Sequence, residues 1–138
     1  MGEPQIFMPE LFREDEEGRV RLVAGYCPES KNWTFPRYLA DPVSFTDNIE
    51  EKLLSPTGVL HSFTVVRRHM KEYENVIPFV LALVDFPETV RVMAQVETKD
   101  FDALTFGEEM AVTTGIIRKA ADGSDVVSYK FIPVREMK

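Results

Sequence analysis

The chain is short of sulfur, of positive charge and of long apolar runs, and each shortage excludes something. A single cysteine, Cys27, rules out an internal disulfide and any zinc site built from the chain's own thiolates alone. Sixteen basic side chains against twenty-three acidic ones give a formal charge of −7, which opposes binding to nucleic acid or an anionic membrane unless basic groups are concentrated in one place. No apolar run approaches the ~20 residues that a membrane-spanning helix needs. The opening MGEPQIFMPEL has neither a basic nor an apolar signal region, so the expected location is cytoplasmic. Catalytic signatures are missing too: there is no G-x-S-x-G elbow, no phosphate-cradling glycine loop and no H-E-x-x-H.

What the chain does have is strand pattern. Its 138 residues suit one core with a small appendage, and 44% hydrophobic with 28% charged residues is the balance of a globular protein. From Gly58, Val59, His61, Phe63 and Val65 alternate with Leu60, Ser62, Thr64 and Val66. The run Phe79 to Phe86 is apolar on both faces except at Asp85. A third run sets Val90, Val92, Ala94 and Val96 against Arg91, Met93 and Gln95. Phe101, Leu104 and Phe106 suggest a short helix or turn stopped by Gly107. Met110 to Arg118 and Val126 to Ile132 complete five strands, with Asp122-Gly123 in the hairpin loop between them. In the last strand Val127, Tyr129 and Phe131 face one way and Val126, Ser128 and Lys130 the other, so a half-buried strand is expected. Five short antiparallel strands with a helical turn between the third and fourth are the layout of an OB-fold barrel.

Two stretches precede the barrel, dividing the chain into 1–20, 21–57 and 58–138. Residues 1–20 carry a weak amphipathic stretch, Pro9 to Glu17, expected as a short N-terminal helical segment that docks through Leu11 and Phe12. Residues 21–57 are rich in turn-forming types, with Tyr26, Trp33, Phe35, Tyr38 and Phe45 spaced irregularly, the texture of a compact knuckle with its own aromatic cluster. Asp47 to Leu54 reads as a short helix capped by Asp47. The acidic runs near Glu14 and from Glu97 to Glu109 read as solvated faces. Asp85 reads as the residue that caps the Pro87-Glu88-Thr89 turn rather than as a general base. The one locally basic segment, between the first two barrel strands, holds Arg67, Arg68, His69 and Lys71 with Tyr73 after them, and is the first place to look for an anionic ligand.

The order of motifs resembles a known family. A C-P-x-x knuckle at Cys27, F-P-R at Phe35, G-x-x-x-S-F-T-V-V from Gly58, P-F-V-L-A-L-V-D-F from Pro78, D-x-L-x-x-G from Asp102 and Y-x-F-x-P from Tyr129 together resemble the DUF35 proteins. That resemblance, covering about residues 20 to 133, implies a rubredoxin-like zinc ribbon joined to an OB-fold, and small partners of thiolase-like enzymes acting on acyl-CoA. The ribbon's four cysteine positions fall on Cys27, Ser30, Asp41 and Ser44, which keep the spacing but only one thiolate. A serine hydroxyl is a poor zinc ligand at neutral pH, so a metal-free knuckle is expected, held by its aromatic residues. His61 and His69 do not fall at ligand positions.

The resemblance implies a non-catalytic small subunit of a thiolase-like acyl-CoA acyltransferase complex, which helps form the acyl-CoA channel and stabilises the assembly. No cofactor is expected on the isolated chain, and Arg67, Arg68, His69, Lys71 and Tyr73 become candidate contacts to coenzyme A in the complex. The expected partner is a thiolase-like protein in a hetero-oligomer, with neither nucleic acid nor membrane. The alternatives are a nucleic-acid-binding OB module and an accessory subunit of an acyl-CoA hydratase or aldolase complex. The acidic charge and the lack of aromatics interleaved with Lys and Arg weigh against nucleic acid.

Overall fold

A computed structural model describes residues 5–6, 9–36, 48–68, 71–73 and 76–137. In chain order the strands are β1 (Gln5–Ile6), β2 (Phe12–Glu14), β3 (Val20–Cys27), β4 (Asn32–Thr34), β5 (Glu50–Leu53), β6 (Thr57–Val66), β7 (Phe79–Asp85), β8 (Arg91–Val96), β9 (Glu109–Lys119) and β10 (Asp125–Pro133). Among the described residues the helical pieces are single 3-10 turns of three residues.

β3 organises the front of the chain. It pairs antiparallel with β2, β4 and β5, setting Phe12 against Leu22, Tyr26 against Trp33 and Val23 against Leu53. The expected N-terminal helix is therefore a 3-10 turn, Pro9–Leu11, running straight into a strand. The reason lies at Asp15. Its carboxylate accepts from the amides of Glu17 and Arg19 and from the guanidinium groups of Arg19 and Arg21, closing a hairpin at the point where a helix would have to continue. The expected helix from Asp47 is likewise replaced over Glu50–Leu53 by a strand, because pairing with β3 outweighs local helix propensity; Asp47 itself lies outside the described residues.

The remaining strands close a barrel. β6 pairs with β7, β7 with β8, β8 with β10, β10 with β9 and β9 with β6, the circular order of an OB-fold. The barrel is mixed rather than wholly antiparallel: β10 meets β8 in parallel, at Phe131 beside Val96, and β1 adds a second parallel pairing to β10. β6 carries a bulge between Leu60 and Ser62, which turns Phe63 and Val65 toward the core and leaves His61 exposed. Gly58 is required where β6 crosses β7, since a Cβ there would lie 2.7 Å from the Asp85 carbonyl oxygen. The turn expected after β8 is the 3-10 turn Phe101–Ala103, and Gly107 follows it in the left-handed region (φ +89°) with its N–H on the Leu60 carbonyl.

One core joins the small sheet to the barrel. Leu22, Ala24 and Leu54 pack in the same buried cluster as Leu60, Val84, Met110 and Phe131. Aromatic rings complete the seam: Phe12 and Phe35 both meet Tyr129 of β10 edge to face, at 5.9 and 5.8 Å between ring centres. The knuckle's aromatics are thus divided. Tyr26 and Trp33 pair with each other at 4.9 Å, while Phe35 leaves that pair for the barrel; Tyr38 and Phe45 lie outside the described residues. β10 alternates as far as Lys130, with Val126, Ser128 and Lys130 buried and Val127 and Tyr129 partly exposed; Phe131 breaks the pattern by being buried as well.

Candidate functional site

The segment between β6 and β7 leaves the barrel at Val66 and returns at Phe79. Arg67 and Arg68 are exposed, and Lys71 opens a 3-10 turn that ends at Tyr73, whose carbonyl accepts from the amides of Val76 and Ile77. His69 lies outside the described residues. Two rings tie this loop to the body: the Arg67 guanidinium stands 5.7 Å over the centre of the Phe101 ring, and Tyr73 stacks on Phe79 at 5.7 Å. Tyr73 is half-buried, so one of its faces is already occupied.

Phe79 and Phe101 also line a cavity of about 390 Å³, together with Pro78, Gln95, Glu97, Lys99 and Lys130. That volume lies at the lower end of the range for small-molecule sites. Lys130 is only 7% exposed, and its ammonium pairs with Glu97 at 2.9 Å, with the Ile116 carbonyl at 3.5 Å. The Glu97 side chain is itself 58% exposed, so a carboxylate that reads as part of a solvated run in fact holds the counter-charge of a buried lysine. Gln95, also 7% exposed, donates from its amide nitrogen to the Ile117 carbonyl at 2.9 Å. That bond fixes which end of the amide is oxygen, and the oxygen is buried without a hydrogen-bond partner among the described residues.

Sequence reasoning finds the loop but misses Lys130 and Gln95. Both stand at outward positions of alternating strands, where a polar residue normally meets water. Their burial follows from the parallel meeting of β8 and β10, for which no local sequence signal exists.

The other singled-out residues are placed as follows. Cys27 is fully buried and Ser30 accepts from the Asn32 amide at 3.2 Å, so that hydroxyl is turned to the knuckle's own backbone. Asp41 and Ser44 lie outside the described residues. One thiol, two hydroxyls and one carboxylate do not fit a structural tetrahedral zinc site. Asp85 does not cap the turn after it. It forms a two-pronged ion pair with Arg91, its register partner on β8, at 2.6 and 3.1 Å, and the hydrogen bond from Arg91 holds its carboxyl below the ordinary value. The turn is closed instead by the Phe86 and Thr89 amides.

The comparisons with known proteins agree with this architecture. The family described as ChsH2, C-terminal OB-fold domain, matches residues 51–115. A DUF35 domain-containing scaffold protein of Pyrococcus furiosus is 33% identical over 135 residues, 97% of each chain. The benzoylsuccinyl-CoA thiolase subunit BbsA of Thauera aromatica is 30% identical over 130 residues, 91% of this chain and 86% of that protein. Among solved structures, the Ltp2-ChsH2(DUF35) aldolase shares the fold with a TM-score of 0.63 at 21% identity, over 82% of this chain and 84% of that one. With its front sheet and OB barrel matched along nearly their whole length, the chain belongs to the DUF35 family of OB-fold scaffold proteins and thiolase subunits.

Proposed function

We propose that this chain is a non-catalytic small subunit of a thiolase-like acyl-CoA acyltransferase complex. The observation that carries this reading is the likeness, over nine-tenths of the chain, to a subunit of benzoylsuccinyl-CoA thiolase. The partner supplies the nucleophile and the acid-base groups. This chain supplies one wall of the acyl-CoA channel, where Arg67, Arg68 and Lys71 meet the phosphates of coenzyme A, guanidinium groups being suited to bidentate phosphate contacts. His69, which lies outside the described residues, and Tyr73 are the further candidate contacts. The knuckle stands without zinc, held by pairing to β3 and by the aromatic seam.

The barrel's outward face on β7 and β8 supports a protein partner better than nucleic acid. It carries Leu81, Leu83 and Met93, the last 57% exposed, rather than stacking aromatics among basic residues. An aldolase-type partner is the second reading, prompted by the shared fold with the Ltp2-ChsH2(DUF35) aldolase. The test is to purify the complex from its source, identify the companion chain, and replace Arg67 and Arg68 by alanine. The expected result is a raised KM for acyl-CoA with the assembly intact. An unchanged KM removes the loop from the site, and a companion outside the thiolase-like class removes the reading.

A further inference from the structure

The cavity beneath the basic loop holds more than a channel wall needs. Burying an ammonium is costly unless it is well paired, yet Lys130 is matched by a carboxylate that stands more than half in solvent and loses little by turning away. The lysine stem is seated by design of the backbone. A Cβ at Gly115 would lie 2.9 Å from the Lys130 Cδ and 3.4 Å from the Glu97 carboxylate, so glycine at this position on β9 leaves room for the pair as it is seated. Beside this pair the buried carbonyl oxygen of Gln95 has no hydrogen-bond partner among the described residues, so a second polar group stands at a cost at the same end of the cavity. Of the remaining walls, Pro78, Phe79, Phe101 and Ile116 are apolar and partly aromatic, while Thr98 and Lys99 add a polar edge with a second ammonium.

We infer that this cavity binds a small aryl carboxylate. The carboxylate takes the place of Glu97 on the Lys130 ammonium, and the ring lies against Phe79 and Phe101. A bare phosphate fits less well, since it leaves the aromatic walls uncovered and brings a second negative charge beside Glu97. The inference concerns the chain alone and does not rest on the thiolase-partner reading.

The test is titration of the full chain with benzoate, acetate and inorganic phosphate, followed by amide NMR shifts. Benzoate is expected to move the amides of Gln95, Gly115 and Lys130 in a saturable way, and acetate and phosphate to bind at least about tenfold more weakly. Lys130→Met should weaken benzoate by about tenfold or more, the scale of one charge-assisted hydrogen bond. Glu97→Gln, which removes the competing carboxylate without touching the core, should tighten it about threefold or more on the same scale. The proposal is overturned if benzoate leaves those amides unmoved, if phosphate binds as well as benzoate, or if Glu97→Gln leaves the affinity unchanged or lower. An unchanged KM after replacing Arg67 and Arg68 in the complex strikes the channel reading instead and leaves this titration standing.

Discussion

The seam between the small sheet and the barrel and the cavity beneath the loop use the same strand, β10, in opposite ways. At the seam, Phe131 is fully buried and Tyr129 meets two aromatic rings edge to face, so the strand is held there by apolar contacts. At the cavity, Lys130 between them is buried with a charge, beside an amide oxygen left unpaired. Adjacent residues on one strand thus serve stability on one face and leave a polar cost standing on the other. A fold selected only for stability would fill the second face as it fills the first.

The comparison breaks first at Phe131. Phe131→Ala should cost about 3–5 kcal/mol of unfolding free energy in a denaturant titration. Because one core spans both parts, the small sheet and the barrel should be lost in a single transition; two separate transitions would contradict the shared core. Lys130→Met sharpens the contrast. It removes a buried ammonium whose partner is already solvated, so stability should change by no more than about 1 kcal/mol while ligand binding falls. A loss as large as that of Phe131→Ala would make Lys130 a packing residue and merge the two faces.

Acid should act at the edge of the small sheet before it reaches the barrel. Burial alone would raise the Asp15 carboxyl, but hydrogen bonds from the Arg19 and Glu17 amides and from the Arg21 and Arg19 guanidinium groups outweigh it and hold the carboxyl at about 2, against an ordinary 3.8. The folded hairpin therefore binds that proton less readily than the unfolded chain does. Its contribution is present above about pH 4 and is lost as pH falls through about 2. Amide exchange in β2 should rise over that window, and Asp15→Asn should abolish the dependence. The smallest effect is expected at the Asp85–Arg91 pair. Its side chains are 42% and 49% exposed, so Arg91→Ala should lower the unfolding midpoint only slightly, and less in high salt.

The five barrel strands were legible because period-2 alternation is a local property, and the loop between β6 and β7 was legible because its charges are contiguous. The misreadings share a different cause. The stretches at Pro9–Glu17 and Asp47–Leu54 have some helical character on their own, and Phe12–Glu14 of the first and Glu50–Leu53 of the second become strands where β3 offers a pairing edge. Asp85 reads as a turn cap until register places Arg91 opposite it.

The residues themselves determined the five barrel strands, the turns between them, the family and the loss of the ribbon's ligand set, since each rests on residue identity or near-neighbour spacing. Only the tertiary structure decided that β10 closes the barrel in parallel against β8 and that Lys130 and Gln95 come to lie beneath the loop. Burial depends on what the rest of the chain brings alongside a strand, and contacts between residues more than thirty positions apart, such as Lys130 with Glu97, leave no trace in the local pattern.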